Sequence, residues 1–244
     1  MDIPVALLKK YAGRDKIMRT VCYTAVMLTG PSRGKIARDL TLLAKHISTA
    51  RMITRLFEDL PSWVTTWGYG LGEHERDQVI RVLSILSNVA TQLFLPIEHI
   101  VWAANSDIVP CSSRPWAVTT IVLWLISLVS NIIKSIRILM VIQYKQINLV
   151  KRKRLESPGR SDGSSVEFRR QFAILAEQRR KETLDLVKNV ADAVMGVNWL
   201  PAGILWAGKL SPAKNAVFGT ISSLIGLYTL VQEEKNTQMW DKRL

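Results

Sequence analysis

The residues able to do metal or nucleophilic chemistry are few. Histidine occurs only at positions 46, 74 and 99, without the His-x-x-x-His spacing that sets two imidazoles on one helix face for zinc. Cys22 and Cys111 are far apart, so there is no disulfide framework and no Cys-x-x-Cys pair for redox or zinc. Glu98 and His99, beside Trp102, are the one pair that invites acid/base chemistry, but adjacent residues on a helix do not face one another. The glycine-rich run at 68–72, Gly-Tyr-Gly-Leu-Gly, lacks the preceding strand of a phosphate cradle, and Glu73 and Glu75 would repel a phosphate. It reads as a break between helices. The expectation is a protein that is not an enzyme, with no catalytic residue, metal site or cofactor.

What chemistry remains is electrostatic. Lys and Arg number 33 against 20 Asp and Glu, a surplus that suits an anionic partner. Arg51 and Arg55, four apart, form a candidate clamp for lipid headgroups, with Arg38 and Lys45 nearby; intrahelical pairing with Glu58 or Asp59 is the plainer alternative. Lys151 to Arg154 form a second basic patch, each residue contributing about 1 kcal/mol near an anionic surface. Nucleic acid is a poor candidate partner, because long uncharged stretches interrupt the basic ones and no recognised module is present.

These side chains must be positioned by helices. Between Ile36 and Phe57 the residues Ile36, Leu40, Leu43, Ile47 and Phe57 recur at three- and four-residue spacing with the basic residues off the stripe, so this segment is expected to be amphipathic and to insert in a membrane surface. A rougher helix is expected over Val5 to Leu28, ended by Gly30 and Pro31. Four later stretches carry almost no charge: 82–97, 115–133, 193–208 and 215–232. The second approaches the roughly 20 residues needed to cross about 30 Å of hydrocarbon. The fourth offers Gly219, Ser222, Ser223 and Gly226 at small-x-x-x-small spacing for close helix packing. The first and third, 16 residues each with Pro96 and Pro201, suit spans, interfacial segments or buried helices equally.

The fold class expected is therefore all-α: a helical membrane protein with N-terminal amphipathic helices and two apolar helical hairpins. Residues 1–81 form the cytosolic amphipathic region, 82–133 the first hairpin with span 115–133, and 134–188 a basic linker and surface helix. Residues 189–232 form the second hairpin with span 215–232, and 233–244 a cytosolic tail. Charge supports this division. With four arms, one side holds 13 Lys and Arg in 1–81, 14 in 134–188 and 3 in 232–244, while the other keeps only Arg114, Lys209 and Lys214. Spans at 115–133 and 215–232 alone would translocate the basic middle; both arrangements leave the termini together. Residues 156–165, rich in Ser, Gly and charge, are expected to be a disordered linker. No cleaved signal peptide is expected. The final Lys242-Arg243-Leu244 has Lys where a Ser-Lys-Leu targeting signal has a small residue, so it reads as coincidence.

Several pieces in order carry a resemblance: Gly13-Arg14-Asp15-Lys16, Ser48-Thr49-Ala50-Arg51 running to Arg55-Leu56-Phe57-Glu58-Asp59-Leu60, and Tyr69-Gly70-Leu71-Gly72. They continue with Gln92 through Ala104, Trp199-Leu200-Pro201 to Gly208, and Gly219 to Leu224. Together they resemble the peroxin-11 family, gamma type. The resemblance implies a multi-pass peroxisomal membrane protein with both termini cytosolic, which elongates and helps divide peroxisomes by inserting amphipathic helices. It also implies membrane lipids, copies of itself or of other family members, and the dynamin-related fission GTPase with its membrane adaptors as partners. A channel or carrier for small metabolites is the alternative, weakened by the lack of charge in the arms apart from Asp192.

Overall fold

The computed structural model describes residues 3–155 and 162–241, which form eight α-helices and no strand. Of the expected linker, 156–161 lie outside the described residues, as does the carboxyl-terminal tripeptide 242–244, while 162–165 are not linker but the first turn of the helix Asp162–Asn198. The helix anticipated over Val5 to Leu28 is two, α1 (Ile3–Lys9) and α2 (Tyr11–Leu28), because Lys10 adopts an extended backbone with φ −92° and ψ 140°. α1 folds back so closely that a Cβ on Gly13 would lie 2.0 Å from the Leu7 carbonyl oxygen. Only glycine admits that contact. α3 (Gly34–Arg55) returns against α2, and Cys22, Ala25 and Ala44 are buried between them, flanked by Val26, Leu40 and Ile47.

α4 (Asp59–Tyr69) is followed by a turn in which Gly70 and Gly72 take positive φ, and by Asp77, whose carboxylate accepts from the amides of Val79 and Ile80 to cap α5 (Gln78–Asn105). α5 continues through Pro96 and Glu98, where the uncharged run ends. α6 (Ser113–Leu155) folds back on it after a short loop. With 28 and 43 residues, the two rise about 42 and 64 Å, so both exceed the hydrocarbon thickness. They are the two described helices long and apolar enough to cross a membrane. Residues 82–97 and 115–133 lie within them, and the basic second half of α6 projects beyond the second.

α7 (Asp162–Asn198) runs back along α6, and α8 (Pro212–Asp241) back along α7. Asn198 holds the connection by donating to the Leu210 carbonyl and accepting from its amide. Trp199 stacks on Trp124 of α6, with ring centroids 5.9 Å apart. α2 lies antiparallel along α8: Lys10 pairs with Glu234 at 2.6 Å, and Lys16 lies over Gly226, Tyr23 over Gly219 and Gly30 against Ala213. Gly219, Ser222, Ser223 and Gly226 are all buried on α8. A Cβ on Gly219 would meet the Tyr23 ring at 2.7 Å and Met195 Sδ at 2.9 Å.

Gly219→Val should therefore overpack this junction and destabilise the detergent-solubilised protein by about 1–3 kcal/mol. A lowered thermal midpoint is the expected reading; an unchanged midpoint would mean that α8 does not pack on α2 in this way.

Candidate functional site

α5 and α6 place small and polar side chains against each other and large apolar ones outward. Ser84, Ser87 and Ala90 are buried on α5, and Ser130 and Ser135 on α6. Ser87 Oγ lies 2.9 Å from Ser127 Oγ and accepts from Asn131 at 3.1 Å. Val82, Leu86, Val89 and Leu93 are exposed on α5, as are Val122, Ile126, Val129 and Ile133 on α6. A water-soluble helix pair would bury those stripes. In hydrocarbon, small residues allow close approach, hydroxyls bond across the interface and the large side chains face lipid.

A second apolar surface lies on α4, a helix that the sequence reading passed over. Leu60, Trp63, Val64 and Trp67 recur at helical spacing, with Leu71 in the turn just past the helix, and all are between 59% and 81% exposed. Phe57, in the preceding turn, extends the ridge. The opposite face is tied down: Gln92 of α5 donates to Ser62 Oγ at 2.9 Å and to Thr66 Oγ1 at 2.8 Å. The glycine-rich run at 68–72, read as a break between helices, drew attention to the end of this segment, whereas the apolar spacing before it was the available signal.

The insertion stripe foreseen on α3 is divided. Ile36, Leu43 and Phe57 are exposed, whereas Leu40 and Ile47 pack against the Cys22–Ala25–Ala44 core. Arg38 and Lys45 are exposed on the outer face. Arg51 and Arg55 point inward. Arg51 Nε donates to Asp15 at 2.9 Å, and Arg55 donates a terminal nitrogen to Glu98 at 2.7 Å. The expected intrahelical partners Glu58 and Asp59 are thus replaced by carboxylates from α2 and α5. His99, next to Glu98, sits between the carbonyl oxygens of Leu95 and Leu56, with Asp59 at 3.5 Å. Glu98 and His99 therefore fasten the α3–α4 turn to α5.

Arg51 and Arg55 line a cavity of about 800 Å³ between the α2–α3 hairpin and α5–α6. Arg19 lies on its α2 wall and pairs with the buried Asp192 of α7 while stacking over Tyr23, 5.4 Å from the ring centre. Burial beside Arg19 lowers the Lys16 ammonium to about 8. No group of three or more His, Cys, Asp and Glu able to hold a metal ion occurs among the described residues.

An all-helical chain that inverts the soluble pattern on its two longest apolar helices, and carries an exposed aromatic ridge beside them, is of the class of helical membrane proteins. The sequence matches the family model of peroxisomal biogenesis factor 11 (PEX11) over residues 1–231, and the chain belongs to that family. It is 35% identical over 227 residues to the Homo sapiens protein described as peroxisomal membrane protein 11C, covering 91% of this chain and 90% of that one. It is 33% identical over 237 residues to the Mus musculus protein of the same description, covering 95% and 94%. No solved structure matches.

Two predictions concern the charges. Arg19→Met or Asp192→Asn alone strands a buried partner and should cost about 3–5 kcal/mol in unfolding measurements, while Arg19→Met with Asp192→Leu should recover much of it. Equal losses in single and double variants would contradict the pairing. Lys16 binds its proton more weakly folded than unfolded, so between pH 8 and its unfolded value the unfolded chain holds more protons and stability rises with pH. Thermal midpoints measured over pH 8 to 10 should shift in favour of wild type relative to Lys16→Met; parallel curves would refute it.

Proposed function

We propose that this chain is a non-enzymatic membrane-shaping factor that promotes elongation, proliferation and fission of peroxisomes. The observation that carries the reading is the exposed ridge of Leu60, Trp63, Val64 and Trp67 on a helix tethered beside the apolar α5–α6 pair, with Leu71 just past its end. An apolar helix face buried about 5–10 Å deep in one leaflet expands that leaflet and favours curvature. Aromatic side chains suit the interface because they offer an apolar body at headgroup level. Ile36 and Leu43 of α3 supply a further exposed apolar edge, with Arg38 and Lys45 available for headgroups.

Anchorage comes from α5 and α6 crossing as a hairpin, so that both termini share the cytosolic face. The loop between them, residues 106–112, carries no Lys or Arg, and Arg114 follows just after it, whereas the basic residues are concentrated in the segments before α5 and after residue 133, in keeping with the positive-inside bias. This satisfies the bias better than spans at 115–133 and 215–232, and it needs no crossing by α8, along which α2 lays Lys16. The loop after α7 exposes Trp199, Ile204, Leu205 and Trp206 near α6, giving the second hairpin an apolar tip that dips into the bilayer. Self-association and recruitment of a dynamin-related GTPase with its adaptors complete the proposed role. A channel is disfavoured, since Asp192, the charge available to line a path among the candidate arms, is neutralised by Arg19.

Reconstitution of the full-length protein into peroxisome-like phospholipid vesicles tests the reading. Wild type should draw vesicles into tubules visible by electron microscopy, and Trp63→Glu with Trp67→Glu should lower tubule number at least several-fold; Leu43→Glu measures the share of α3. Tubulation unchanged by the tryptophan pair would remove α4 from the mechanism. Solute flux without tubulation would replace shaping by transport.

A further inference from the structure

The cavity between the N-terminal hairpin and α5–α6 is used by neither the ridge nor the crossing hairpin. At about 800 Å³ it lies in the size range of small-ligand sites. Its charge is balanced: Arg19, Arg51 and Arg55 line it together with Asp15, Glu58 and Glu98. A simple anion would gain guanidinium contacts at the expense of lying beside the carboxylates, and a simple cation meets the opposite difficulty. A zwitterion can satisfy both signs at once.

The arginines retain donors for such a ligand. Asp15 takes Nε of Arg51, and Glu98 takes one terminal nitrogen of Arg55, whose own Nε is buried and without a hydrogen-bond partner. Glu58 makes no ion pair among the described residues. Two guanidinium groups four apart on α3 match the several oxygens of a phosphate. The remaining wall mixes polar side chains, Ser62, Thr66, Asn88 and Thr91 among them, with an apolar stretch formed by Phe94 of α5 and by Leu123 and the stacked Trp124 of α6. Because these residues belong to the helices that face lipid, an apolar chain can continue from the polar end of the cavity.

We propose that this cavity binds a zwitterionic phospholipid of the ethanolamine class. Its phosphate is held by Arg51 and Arg55, its ammonium group faces Asp15, Glu58 and Glu98, and the start of one acyl chain lies on the Phe94–Trp124 wall. The site is distinct from the α4 ridge: the inner face of α4 lines it through Ser62, Thr65 and Thr66, while Trp63, Val64 and Trp67 point away from it.

The test uses the full-length protein in mild detergent, with phosphatidylethanolamine, phosphatidylglycerol and water-soluble phosphoethanolamine as separate probes and native mass spectrometry as the readout. Wild type should retain one phosphatidylethanolamine per chain, at least about tenfold more strongly than either other probe, the factor that follows from one charge-assisted hydrogen bond. Glu58→Gln removes a carboxylate that makes no ion pair among the described residues, and Leu123→Trp fills the apolar end without touching an ion pair; both should fold, as circular dichroism can verify, and lose the same factor. Preference for phosphatidylglycerol would overturn the zwitterion assignment, and phosphoethanolamine bound as tightly would overturn the lipid. Equal retention by wild type and both variants would overturn the cavity as the site.

Discussion

Hydrocarbon offers no hydrogen bonds and no driving force for burying one apolar side chain against another, and the arrangement of α5 and α6 answers both conditions. Backbone groups are satisfied within the helices, serine hydroxyls bond across the contact through Ser87, Ser127 and Asn131, and valines and isoleucines face out. The rest of the fold is arranged around that pair. α4 is tethered to α5 through Gln92, α7 seats Gly196 against Trp124 and Leu125, and the α3–α4 turn is fastened by Glu98 and His99.

Ion pairs between elements far apart in sequence do the joining. Arg51 to Asp15 ties α3 to α2, Arg19 to Asp192 ties α2 to α7, Arg55 to Glu98 ties α3 to α5, and Arg137 to Asp77 ties α6 to the start of α5. Charges held this way near an apolar environment are costly if either partner is lost and specific in what they accept, so they fix register more than they add stability. The cavity they surround keeps its polar lining because Asp15 and Glu98 are each paired with a guanidinium. The same balance makes it selective toward ligands carrying both signs.

Much of the architecture was legible in the residues. Three- and four-residue apolar spacing located α3, the apolar run at 115–133 located the core of α6, and Gly30 with Pro31 marked the end of α2. The small residues of α8 were readable as a packing face, though not that α2 would be what covers them. Long-range partners left no local trace: Asp15 and Arg51 are 36 residues apart, so Arg51 read as a headgroup ligand with Glu58 or Asp59 as alternatives. α5 was undervalued because Pro96 and Glu98 end its uncharged run, while the helix itself continues and Arg55 neutralises the carboxylate. α4 was missed because the segment was read only through its glycine-rich end at 68–72, and the apolar register of Leu60, Trp63, Val64 and Trp67 was not followed. The family resemblance, by contrast, was carried by short ordered segments along almost the whole chain and agrees with the match over residues 1–231.

The central claim is that α5 and α6 cross the membrane as a hairpin, placing the loop between them on the far side. The two cysteines make this directly measurable, since Cys22 is buried and Cys111 lies exposed in that loop. Intact peroxisomes treated with a membrane-impermeant maleimide should leave Cys111 unlabelled, with labelling appearing once the membrane is permeabilised and lost in Cys111→Ser. Full labelling of Cys111 in sealed organelles would contradict the account.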